Sequence, residues 1–169
     1  MKKYLKKILV TTLLITLTGC LGFGAPAPAR TQLEVRQMQT FIFDVSDFKM
    51  VMKAMMNVFQ DEGFNVQNVH LDLGFLTSTK EVDVENQGMR FWTALFGTPV
   101  ERFRKTSVID ATANVSEFGD KTKVRVNFQI KQLDNMGNII TVKQIQESEY
   151  YLDFFMKVDK SIFIQKEKL

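Results

Sequence analysis

The sequence predicts an α+β fold: a two-layer sandwich of an antiparallel sheet with two helices packed on one face. Three observations predict it. Residues Lys123 to Lys131 alternate, with Val124, Val126, Phe128 and Ile130 on one side and Lys123, Arg125, Asn127, Gln129 and Lys131 on the other. That is the period of a strand with one dry and one wet face. Two other segments carry large apolar residues at helical spacing: Phe48, Val51, Met52, Met55 and Phe59, and then Tyr151, Phe154, Phe155, Val158 and Ile162. The remaining extended segments are joined by tight turns, which suit antiparallel neighbours, so both helices fall on the dry side of one sheet.

In chain order, Thr40 to Phe43 favours a strand, and Asp44 and Ser46 are candidate N-caps for the first helix. Gly63 stands where a left-handed residue would end that helix. Phe64 to Leu71 and Phe75 to Val84 read as a hairpin around Asp72-Leu73-Gly74. Glu85 to Gly88 is a loop, and Met89 to Phe96 a short amphipathic stretch stopped by Gly97 and Pro99. Lys105 to Val115 and Lys123 to Lys131 are strands, Asp134 to Asn138 is a turn, and Ile139 to Ile145 is the last strand before a helix from Ser148. The order is strand, helix, two strands, a helical insertion, three strands, helix.

The N-terminus is organised differently. Lys2, Lys3, Lys6 and Lys7 precede an apolar run from Ile8 to Leu17, far shorter than the roughly 20 residues that cross a bilayer. The run closes on Leu17-Thr18-Gly19-Cys20, and Cys20 is the only cysteine of the chain. This ending resembles the lipobox of bacterial lipoproteins. The resemblance implies a signal peptide over residues 1–19, cleavage after Gly19, and fatty acyl chains such as palmitate on the sulfur and amine of Cys20. Residues 20–39 are then expected to be the acylated cysteine and a flexible tether, since Leu21 to Arg30 is a Gly/Pro/Ala stretch with little to bury. Residues 40–169 form the single periplasmic α+β domain. Leu21 and Gly22 lack the aspartate that holds many enteric lipoproteins at the inner membrane, so the resemblance further implies an outer-membrane anchor facing the periplasm.

Charge excludes one class of partner. The 169-residue chain carries a formal +3, but the four lysines of the leader leave with it, so the 150 residues from Cys20 onward carry −1. Bulk electrostatics gives no support for nucleic acid. With no second cysteine for a disulfide, stability rests on packing, and 15 phenylalanines supply it.

Phe59-Gln60-Asp61-Glu62-Gly63-Phe64, Leu73 to Lys80 and Phe154 to Lys160 resemble segments of a family of small Gram-negative outer-membrane lipoproteins to which no activity is attached. A helix ending in Glu-Gly-Phe, before a strand that turns at Asp-Leu-Gly and runs through Thr-Ser-Thr, is also distantly similar to the helix-grip domains of BamC, a barrel-assembly lipoprotein. That likeness implies a binding or assembly role by analogy.

No catalytic set emerges. His70 is the single histidine and has no Gly-x-Ser-x-Gly elbow to serve, so it reads as a strand histidine at the sheet surface. Phosphate-binding glycine loops are missing, and zinc would find neither a second histidine nor a spare thiolate. No cofactor is expected. Asp83 and Glu85 face one side of a strand end, where solvated carboxylates are the simpler reading than a glycosidase pair. Met52 and Met56 are the one i, i+4 methionine pair worth weighing for Cu(I), but Met52 and Met55 follow the core stripe, and no metal site is assigned.

The sequence thus points to a non-enzymatic lipoprotein that serves an envelope complex as a binding or assembly accessory. The alternative is a carrier or sensor of an apolar ligand held between helices and sheet. Candidate partner-binding residues are Arg90, Phe91, Trp92, Phe96 and Arg102, an aromatic and arginine mixture of the kind found at interface hot spots. The same aromatics could instead cap an open end of the sheet. Replacing Trp92 and Phe96 together by alanine separates the two readings. An interaction surface predicts loss of partner co-purification with little change in melting temperature, whereas a core lid predicts the reverse.

Overall fold

A computed structural model describes residues 30–83, 106–134 and 136–167. Among these residues six antiparallel strands form one open sheet, with β1 Thr40–Phe43, β2 Asn65–His70, β3 Phe75–Asp83, β4 Thr106–Phe118, β5 Lys121–Leu133 and β6 Ile139–Gln144. Three helices accompany it among the described residues: α1 Gln32–Met38, α2 Phe48–Asp61 and α3 Ser148–Glu167. The strand order is β1-β5-β4-β3-β2, and β6 also pairs with β5. The chain is therefore an α+β sandwich, with α2 and α3 on one face of the sheet.

The alternation of β5 places its side chains as expected. Val124, Val126, Phe128 and Ile130 are buried, and β4 adds Ile109, Ala111, Ala113 and Val115 to the same face. The alanines are what let helices approach the sheet centre, where Phe59, Phe64, Phe128 and Phe154 interlock. The Phe128 ring lies 5.0 to 6.2 Å from the rings of Phe59, Phe64, Tyr150, Tyr151 and Phe154, mostly in tilted or edge-to-face geometry. Both helical stripes meet this layer: Val51, Met52, Met55 and Phe59 of α2, and Tyr151, Phe154, Phe155, Val158 and Ile162 of α3, are buried. Met52 and Met55 are packing residues there.

Local chemistry sets the ends of α2. Its N-cap is Asp47, which accepts from the backbone N–H groups of Lys49 and Met50, rather than Asp44 or Ser46. The residue one turn before the first buried side chain, Val51, is the one placed to reach those amides. At the other end Gly63, at φ +81°, closes a Schellman motif, with Gly63 N–H to Gln60 and Phe64 N–H to Phe59. Lys80, on the helix-covered face of β3, donates to the Glu62 carbonyl at 2.6 Å and so neutralises the helix terminus. Lys157 of α3 pairs with Glu62 at 2.6 Å and with Asp153 at 2.8 Å, tying the helices together.

Two expectations need correction. The segment 20–39 is not tether throughout, because the folded unit begins at Thr31 and α1 occupies Gln32–Met38. Thr31 and Glu34 form a reciprocal capping box, which gives a seven-residue helix its start, and Val35 and Gln39 are buried. The strand expected over Lys105–Val115 continues to Phe118, and a tight turn at Gly119 and Asp120 leads directly into β5. Gly119 sits at φ +66°, the left-handed conformation such a turn demands. A second glycine has a steric role: a Cβ on Gly74 would lie 1.9 Å from the Val115 carbonyl oxygen, so the β2–β3 turn closes against β4 only with glycine there.

The register makes a sharp contrast testable. Phe128→Ala is expected to cost about 3 to 5 kcal/mol, the range for a packed aromatic, whereas its neighbour Gln129→Ala on the opposite face stays within about 0.5 kcal/mol. Equal shifts in urea midpoint for the two variants would show the faces to be assigned wrongly.

Candidate functional site

The site starts from an irregularity in the sheet. On one edge β5 is paired by β4 along its length, but on the other it is shared. Thr122 to Arg125 pair with β1, and Gln129 to Leu133 pair with β6. Val126 to Phe128 fall in the break between these two partners, where backbone groups must find other bonds. The Val126 N–H donates to the Gln39 carbonyl at 2.9 Å, and the Phe128 carbonyl accepts from Ile145 N–H at 2.9 Å. The Phe128 N–H is left, and it points to the hydroxyl of Tyr151 at 3.4 Å, which in turn donates to the Ile145 carbonyl at 2.9 Å.

Gln39 carries this arrangement through the break. Its Nε2 lies 3.5 Å from the Tyr151 hydroxyl, on the helix side, and 3.2 Å from Asn127 Oδ1, on the opposite side of the sheet. Asn127 also accepts from Gln144 Nε2 at 2.7 Å, and the Gln39 Oε1 accepts from Arg125 at 3.5 Å. Gln39 is 1 % exposed, so its amide is a buried polar group whose partners fix it in place. Burial keeps the Tyr151 phenol neutral and pushes its pKa up, opposed by the hydrogen bond from Gln39. Burial also raises the Tyr150 phenol, with the negative charge of Glu62 adding to the effect.

The side of the sheet that Asn127 and Arg125 occupy carries no described helix. Its rows follow from the register: Thr77, Thr112 and Asn127 in one, Phe75, Asn114, Arg125 and Thr40 in the next, then Ser116, Lys123 and Ile42. It is a mixed surface, in which hydroxyls and amides and the cations of β5 lie beside the exposed side chains of Ile42, Phe118 and Val142. Lys131 pairs with Asp110 at 2.5 Å, and Lys121 pairs with Asp44 at 3.4 Å. Lys123 lies over the half-exposed Phe118 ring at 5.4 Å.

The candidates raised from sequence divide accordingly. Cys20, Arg90, Phe91, Trp92, Phe96 and Arg102 lie outside the described residues, as does Glu85. His70 is on the edge strand β2, exposed, with its ring stacked 6.5 Å from Phe75, as a surface histidine should be. No group of three or more His, Cys, Asp or Glu able to hold a metal occurs among the described residues. Gln39, Asn127 and Tyr151 were not legible as a set. Tyr151 read as one more core aromatic and Gln39 as tether, and nothing local marks three residues that only strand pairing brings together.

No family model and no curated protein matches the chain. Among solved structures it is similar to a DUF4468 family protein from Bacteroides ovatus, at 8% identity and a TM-score of 0.37, over 73% of this chain and 85% of that one. A likeness of that size carries no argument about what the site does.

Tyr151→Phe removes the donor to Ile145 and the acceptor for Phe128, and is expected to lower stability by about 1 to 3 kcal/mol in urea unfolding. Both phenols stay neutral in the folded state, so their contribution is complete below the ordinary phenol range near 10 and is lost as pH rises through the raised folded values. Wild-type stability should therefore fall above about pH 10, and less steeply in Tyr151→Phe. An unchanged urea midpoint in the variant would remove Tyr151 from the junction.

Proposed function

We propose that this protein is an outer-membrane lipoprotein that presents a non-enzymatic binding domain to the periplasm, as an accessory or assembly factor of an envelope complex. The observation that carries the reading is the unequal use of the two sheet faces. One is filled by interlocked aromatic rings, and the other holds a mixed surface organised by a buried glutamine, with no described helix on it. A face built at the cost of burying an amide is better suited to contact than to storage. The carrier reading is weakened by the same layer, since the rings of Phe59, Phe64, Phe128 and Phe154 occupy the space where an apolar ligand would lie.

Anchoring follows from the Leu17 to Cys20 motif. With the folded unit starting at Thr31, the ten residues between it and Cys20 give eleven steps along the chain, which reach at most about 40 Å at roughly 3.6 Å each. The domain therefore works within about one domain diameter of the bilayer, where envelope assemblies emerge. Several acyl chains at about 0.8 kcal/mol per buried methylene make the attachment effectively permanent.

Cys20→Ser should release a soluble periplasmic protein or leave an uncleaved precursor, and should abolish labelling by a fatty-acid probe. Unchanged labelling would refute the anchor, and sucrose-gradient fractionation with inner-membrane markers would refute the outer-membrane destination. Chemical crosslinking in native membranes should capture a discrete envelope protein with the wild-type chain. Complete absence of a captured protein, with the chain correctly localised, would sink the accessory role.

A further inference from the structure

We infer that the open sheet face at Lys123 and Arg125 docks an acidic, extended segment of a partner protein. The inference rests on the binding-module reading above and names its partner class. Its first support is charge. Among the described residues, the other two lysines on the wet side of β5 form ion pairs, Lys121 with Asp44 and Lys131 with Asp110, whereas no ion pair is formed by Lys123 or Arg125. The face around them is neutral: Ser116 pairs with Lys123 across the β4–β5 ladder, and Asn114 pairs with Arg125. Two cations are thus left together without a described carboxylate, in a chain whose part beyond the leader is net negative. The attraction is local, which suits a defined acidic ligand.

The second support is order. Arg125 is held at the Oε1 of Gln39, whose own amide is fixed from the core side by Tyr151 and from the open side by Asn127. A guanidinium steadied by a buried group is suited to directional carboxylate recognition, which a freely solvated arginine does not need. The third is spacing. Lys123 and Arg125 are alternate residues of one strand, so their Cα atoms stand about 6.6 Å apart, which is the repeat of side chains on one side of any extended chain. Acidic residues at alternate positions of a segment lying along β5 would meet both cations, while Asn114, Ser116 and Asn127 offer hydrogen bonds to its backbone. A lipid surface fits less well, because recognition of anionic membranes calls on clusters of roughly four to eight basic residues.

The test uses the mature chain with Cys20→Ser, and a fluorescent eight-residue peptide alternating Glu and Val. Controls are a Gln/Val peptide and phosphatidylglycerol vesicles. The acidic peptide should bind, the neutral one should not, and binding should weaken as NaCl rises from about 0.05 to about 0.5 M. Lys123→Gln combined with Arg125→Gln should weaken the acidic peptide at least tenfold, and Lys123→Gln alone, which leaves the Gln39 junction intact, should weaken it at an unchanged melting temperature. Gln39→Ala, which loosens Arg125, should weaken it less and should also lower the melting temperature. Absence of peptide binding, or binding indifferent to the double variant, overturns the inference. So does vesicle binding that depends on the two cations while the peptide is ignored. In cells, undiminished crosslinking of the envelope partner by the double variant would overturn this docking face yet leave the accessory role standing; loss of capture already in wild type would overturn that role itself.

Discussion

Everything else in this domain depends on how the free edge of β5 is closed. A strand of thirteen residues is paired along one side by β4, but on the other by two short strands from opposite ends of the chain, β1 and β6. The two do not meet. At the break, one backbone N–H would be buried with no acceptor, and an orphaned group of that kind costs about as much as several good contacts return. Tyr151 resolves it from α3, so the final helix is locked to the sheet by a polar bond as well as by its apolar stripe.

That bond explains the orientation of the rest. With Tyr151 held at the break, Phe154 and Phe155 are carried onto Phe59 and Phe43, and Lys157 reaches Glu62 at the end of α2. The α2 helix in turn is stopped by Gly63 and neutralised by Lys80 from β3. Apolar burial supplies most of the stabilisation, as it does in any domain of this size. The polar contacts supply the choice among the many ways in which two aromatic helices could lie on a sheet.

The same junction connects the core to the outer face. Gln39 touches Tyr151 on one side of the sheet and Asn127 and Arg125 on the other, so the ordering of the core is passed to groups that meet solvent.

Periodicity in the sequence was enough to determine which residues are buried. The alternation around Phe128 and the stripes of α2 and α3 each describe one element against one apolar layer, and a local pattern decides that because the faces of a strand or helix are set by its own geometry. Gly63 and the Asp72 to Gly74 turn were legible for the same reason, as conformations a few residues impose on themselves. Asp47 in place of Asp44 or Ser46 as helix cap, and α1 in place of tether, were local too, but several short polar residues competed for each role and only the packed position of Val51 and Val35 selected one. The sharing of the β5 edge was decided by tertiary structure alone. Gln39, Asn127 and Tyr151 are separated by up to 112 positions, and no residue among them signals the others. Their grouping exists only once backbone hydrogen bonds have chosen which strand lies beside which, a choice made by the whole chain at once.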